Sequence, residues 1–234
     1  HIEQEFYEST VNGIQWVIDN KNRQWAGAEN DSFGIDIMVV PFGIISYESG
    51  GSDGSDMFSQ VLDNAVSNGI IVVVAAGNDG SSNDGLSAMA SSSLAITVGS
   101  IDDKNSVSKE DDDIASYSSR GPRKDNNDGT AHDELKPDVV APGTNIVQAE
   151  GCVASGSCYN RIPGQDAADN GYHTRGSSTA YASAYVAGVA ALLLEANPEL
   201  TPSEVKEIIQ NTADRKETLS SADGEGIEEG DWAT

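Results

Sequence analysis

Three apolar runs limit the folds open to this chain more than any other feature. They are "GIDIMVVPFGII" from residue 34, "IIVVVAAGNDG" from residue 70 and "LAITVGSID" from residue 94. Each is rich in Ile and Val and shows no polar alternation, the signature of a strand buried on both faces. Between the first two lie a Gly/Ser/Asp loop and "MFSQVLDNAVSNG", a helical pattern whose closing Gly69 suits a helix end. Strand, helix and strand in succession predict a parallel sheet covered by helices on both sides, an α/β fold of three layers. Ligands in such sheets bind at the carboxyl ends of the strands, which places Phe42-Gly43 and Gly77-Asn78-Asp79 at the functional edge.

Other segments fill in the frame. "VNGIQWVIDNK" has a roughly helical period, and the polar stretch from Asp102 to Glu134 reads as surface loops. "LKPDVVAPGTNI" returns as a short strand turned by Pro142-Gly143. The stretch from about Thr179 to Ala196 is apolar nearly all round, which predicts a central buried helix. Thr201, Pro202 and Glu204 form the start signal of a last helix, with Thr201 as cap, Pro in the first turn and Glu204 closing a capping box. Residues 1–213 are expected to form one domain, followed by an acidic tail over 214–234.

The charge excludes some partners. Thirty-eight acidic residues against 13 basic ones give a net charge of -25. Such a surface repels phosphate, so neither nucleic acid nor an anionic membrane is an expected partner. The sequence is expected to hold no apolar stretch approaching the length of a membrane span. The chain opens "HIEQEFYEST", with no secretory leader visible, which suggests a fragment or a processed chain. Cys152 and Cys158 are close enough to close a small disulfide loop, which suits an oxidising, extracellular or secreted setting. No His or further Cys beside them suggests zinc. Acidic clusters such as Asp111-Asp112-Asp113 and Glu228-Glu229 permit Ca²⁺ without specifying a site.

Six segments together resemble, in order and spacing, the subtilisin-like serine peptidases. They are "GIDIMVVPFG", "GIIVVVAAGNDG", "AITVGSID", "IASYSSRGP", "KPDVVAPGTNI" and "YVAGVAALLLEANPELTPSEVKEIIQNTA". The resemblance covers about residues 10–213. It implies peptide-bond hydrolysis by an Asp–His–Ser triad, with an Asn side chain completing the oxyanion hole. Asn78 in "AAGNDG" matches that Asn, the alternative being an ordinary Asn-Asp-Gly turn. The resemblance also implies a groove for an extended peptide or protein substrate, bordered by Pro41, Phe42 and Gly43, with Ala75, Ala76 and Gly77 as pocket floor. Val39 and Pro41 replace the family's Asn and Ser.

The nucleophile is where the chain departs from the pattern. Family members read G-T-S-x-A-x-P-x-V-A-G. With Val186-Ala187-Gly188 held fixed and no gap, Ser178 falls on the Gly, Thr179 on the Thr and Ala180 on the Ser. Placing Gly176-Ser177-Ser178 on G-T-S instead inserts two residues into the helix, which would turn its downstream face by about 200°. The ungapped register predicts a methyl group, not a hydroxyl, facing Asn78. The family's Asp and His motifs have no counterpart in this chain. His1 lacks the expected Gly-rich context, His132 reads as a surface residue and His173 as structural or pocket-lining. Asp36 and Asp138 are strand-motif acids outside the triad. The expectation is a peptidase domain inactive alone, completed by an amino-terminal fragment supplying Asp and His. The alternative is a natural pseudoprotease that binds peptide or serves as a scaffold.

Overall fold

The computed structural model describes residues 2–27, 33–44, 52–81, 86–127, 129, 134–149 and 173–214. The predicted strands form β1 (Ile37–Val40), β2 (Ile71–Ala75), β3 (Ile96–Asp102) and β5 (Val139–Pro142). All of these pair parallel, β1 with β2, β2 with β3 and β3 with β5. Val98 is in register with both Ala75 and Val139, so β2 and β5 lie on opposite edges of β3. A two-residue strand, β4 (Asp113–Ile114), adds antiparallel to the end of β3.

The strand pleat explains why these runs are apolar throughout. Successive side chains point to opposite faces. Val72 and Val74 therefore pack with Met38 and Val40 against Ile14 of α1 (Ile2–Asp19) and Phe58, Leu62 and Ala65 of α2 (Met57–Ser67). Ile71 and Val73 join Val98 and Val139 on the other face. There they meet Ala182, Val186 and Ala190 of α3 (Thr179–Ala196) and Val205 and Ile209 of α4 (Pro202–Thr212). The three-layer α/β arrangement follows directly.

Local signals place the helix ends. Asp56 caps α2 by accepting the N–H groups of Phe58 and Ser59 at 2.9 and 3.0 Å. Gly69 follows the helix with φ +84°, a conformation that costs glycine nothing. Thr201 and Glu204 form the capping box of α4, with Pro202 in its first turn. Three strands were not anticipated: β4, within the stretch read as surface loops, and the antiparallel pair β6 (Ile146–Ala149) and β7 (His173–Gly176). Helix α1 also starts nine residues before the predicted pattern at Val11, at Ile2.

Two expectations about α3 are corrected. With 18 residues it is long and apolar enough, by length and composition, to cross a membrane, although no such run was expected. It serves here as the core helix over β1, β2, β3 and β5. Nor is it buried all round: only one face meets the sheet, and Tyr185, Val189 and Leu192 are 51%, 48% and 72% exposed. The apolar circumference of this helix exceeds what the described residues cover.

Candidate active site

Strand β2 ends at Ala75, and the chain leaves the sheet through Ala76, Gly77 and Asn78. Helix α3 begins beside this exit. Thr179 links the two: its hydroxyl accepts the Gly77 N–H at 3.2 Å and lies 3.2 Å from both the Gly77 carbonyl and Asn78 Oδ1. The Thr179 N–H donates to Asn78 Oδ1 at 2.9 Å. Because a backbone donor claims the carboxamide oxygen, Asn78 Nδ2 must face the other way. It donates to Ser178 Oγ at 3.1 Å.

Ser178 is the N-cap of α3, in an extended conformation that folds its side chain back over the first turn. Its Oγ also accepts the Ala180 N–H at 3.1 Å. The Ser178 N–H is held in turn by the Gly143 carbonyl at 2.9 Å. The hydroxyl of residue 178 thus meets Asn78, brought by capping geometry rather than by an insertion, and α3 runs unbroken from Thr179. The two registers weighed for this segment put Ser178 on the family's Gly or on its Ser; a Ser before an apolar helical run is also a cap signal, and that is the place it takes here. Ser177 is turned elsewhere, its Oγ accepting the Asn145 N–H at 2.9 Å.

The other candidate residues divide. Phe42 is exposed and meets the Phe6 ring edge-on at 5.8 Å, and Pro41 and Gly43 are exposed beside it. Ala75 and Ala76 are buried, so of the expected pocket floor only Gly77 is accessible. Asp36 is exposed near Lys21, at 3.8 Å. Asp138 is buried between Lys136 and Lys206, at 2.9 and 3.0 Å. His173 opens β7, with its Cα opposite Ala149. His1, His132, Cys152, Cys158 and the tail beyond Asp214 lie outside the described residues. Among the described residues no group of His, Cys, Asp and Glu converges as a metal site.

Chemically, the head of α3 presents two N–H donors converging on one oxygen: the Asn78 carboxamide and the Ala180 amide. They sit at the positive end of an 18-residue helix, where negative charge is favoured. Donors so placed stabilise the oxyanion of an acyl-transfer intermediate.

The family model of the subtilase family matches residues 3–226. This chain belongs to the subtilase family. It is 35% identical over 207 residues to the serine protease AprX of Bacillus subtilis, covering 88% of this chain and 42% of that protein. To subtilisin E of the same species it is 30% identical over 211 residues, covering 88% of the chain and 40% of the relative. The chain thus spans about two fifths of the length of these curated relatives. Among solved structures, a cold-adapted subtilisin-like serine proteinase superposes with a TM-score of 0.56 at 22% identity, over 90% of this chain and 56% of that one. A Pseudoalteromonas arctica protease gives 0.58 at 24%, over 88% and 52%. At those identities the superpositions show the shared fold. The subtilase architecture accounts for the parallel sheet and for the helices on both faces.

Proposed function

We infer that this chain is part of a subtilisin-like serine endopeptidase domain that supplies the oxyanion donors and one side of a peptide groove but no nucleophile. The observation that carries the reading is the junction of Asn78 with Thr179 and Ala180. It brings a carboxamide and a backbone amide together at a strand's carboxyl end, as acyl-transfer chemistry on a peptide requires. Thr179 lies against Asn78 in an uninterrupted helix, and this supports the register that puts Ala180 at the nucleophile position. A methyl cannot attack a carbonyl, and a serine restored there would still need a base to activate it.

The Asp and His would come from a further segment. The exposed stripe of Tyr185, Val189 and Leu192, spaced four and three residues apart, supports this reading, because an apolar face of that extent is normally covered. So does the share of the curated relatives that the chain leaves unmatched. Peptide or protein is the substrate class, and an extracellular location accords with the acidic composition and the Cys152/Cys158 pair. The second reading, a pseudoprotease that binds peptide without cleaving it, draws on Ala180 itself.

The test is hydrolysis of a chromogenic peptide. Ala180→Ser in this chain alone is expected to release no product. The double variant Ala180→Ser/Ser178→Gly, in which Ser178 Oγ no longer holds the two donors, is expected to cleave when mixed with an Asp- and His-bearing segment, and failure of the mixture would favour the pseudoprotease. Cleavage by the single chain, blocked by a serine-directed inhibitor, would overturn the proposal.

A further inference from the structure

The two donors at the head of α3 are already engaged. Asn78 Nδ2 and the Ala180 N–H both reach Ser178 Oγ, each at 3.1 Å. We propose that Ser178 occupies the oxyanion hole from within and keeps it closed to a substrate's carbonyl oxygen. The proposal rests on the reading of these two groups as the oxyanion donors, and it adds the residue that controls access to them.

The arrangement distinguishes an occupant from a nucleophile. In acyl transfer the attacking oxygen approaches the carbonyl carbon, and the donors receive the oxygen that becomes negative. One pair of donors cannot serve the attacking hydroxyl and the oxyanion at once. Ser178 Oγ stands where the oxyanion belongs, so it is misplaced to attack. Its position is also fixed from several sides. The backbone N–H of Ser178 is held by Gly143, its carbonyl accepts the Tyr181 N–H at 3.1 Å, and the Asn78 carboxamide cannot turn away without giving up Thr179. A ligand oxygen must displace the hydroxyl to reach the donors, and glycine at this position would have nothing to displace.

The experiment uses this chain and a probe peptide, N-acetyl-tetra-alanine with a free terminal carboxylate. Binding is followed by NMR at the Asn78 side-chain amide and the Ala180 backbone amide. Ser178→Gly is a suitable opening variant because glycine also tolerates the N-cap position. Ser178→Thr keeps the hydroxyl and serves as the closed control. In the parent and in Ser178→Thr, the two amide signals are expected to stay in place as peptide is added. In Ser178→Gly both should shift together and saturate, with affinity at least about tenfold tighter, the worth of a hydrogen bond to a charged group. Equal shifts and equal affinity in parent and Ser178→Gly would overturn the closure while leaving the donors as an oxyanion hole. Absence of shifts at both donors in every variant would overturn the closure and the oxyanion reading together.

Discussion

The Asn78 carboxamide oxygen accepts the backbone N–H of Thr179 at 2.9 Å, across 101 residues of chain. This bond ties the exit of the central sheet to the head of the core helix, and it orients the carboxamide nitrogen toward residue 178. The Thr179 hydroxyl reinforces it by accepting the Gly77 N–H. Thr179→Val keeps the shape but removes that acceptor, leaving a backbone donor without its partner. A loss of about 1–3 kcal/mol in unfolding free energy is expected, measured by urea denaturation. The Asn78 side-chain amide signals should also broaden or move.

The buried charge cluster gives a pH-dependent expectation. Asp138 Oδ2 meets Lys136 Nζ at 2.9 Å and the Thr97 N–H at 2.7 Å, while Oδ1 meets Lys206 Nζ at 3.0 Å. Burial pushes the Asp138 carboxyl up, but the two ammonium groups and these hydrogen bonds outweigh it, so the group stays below its ordinary range. Its stabilising contribution is therefore present above the unfolded value of 3.8 and lost as pH falls below it. Burial pushes the Lys136 ammonium down to about 8, although Asp138 opposes this. Between that value and the unfolded 10.5 the unfolded chain binds the extra proton, so this group's contribution to stability rises with pH across the window. Asp138→Asn would leave a buried lysine uncompensated and should cost about 3–5 kcal/mol at neutral pH, read from thermal or denaturant unfolding. Lys136→Met should remove the alkaline rise.

Gly143 is required by close approach. A Cβ there would stand 2.3 Å from Ser100 Oγ and 2.7 Å from the Ser178 carbonyl oxygen. The second neighbour is backbone and cannot rotate away. Gly143→Ala should therefore push the head of α3 outward, costing about 1–3 kcal/mol in denaturant unfolding and disturbing the Ala180 amide signal.

Gly188 presents the opposite case. A Cβ would meet nothing within 4 Å, and the residue sits inside α3 on the side that carries Tyr185, Val189 and Leu192. Gly188→Ala should stabilise the chain alone by about 0.5–1 kcal/mol through helix propensity. If the proposed complementing segment packs closely on this face, the same methyl should weaken its association, and Leu192→Glu should abolish it. Pull-down of the purified segment by each variant measures this, and undiminished capture by Leu192→Glu would rule out this face as its seat.

Much of the architecture was legible because strand and helix periods follow from local chemistry. The Ile/Val runs announced β1, β2 and β3, and the capping box of α4 could be read residue by residue. Other features were not. The strands β6 and β7 are short and partly polar, so nothing in "NIVQA" or "HTRG" separates them from loop until they pair. In β2 both pleat faces are apolar, so sequence could not assign Val72 to the α1/α2 side or Val73 to the α3/α4 side. Helix α3 misled in one respect: apolar residues all round predict burial all round, but composition records which surfaces need covering, not which are covered.

The site divides the same way. The sequence by itself determined the family pattern, the place of Asn78 after an apolar strand and the absence of a hydroxyl at residue 180. Only the tertiary structure decided that Ser178 Oγ meets Asn78 and Ala180. That meeting depends on a cap folding back over the first turn of α3 and on a carboxamide delivered from a strand 100 residues away. A hydrogen bond of this kind is a relation between two separated segments, and it exists only once the packing of helix on sheet has brought their donors and acceptors within about 3 Å.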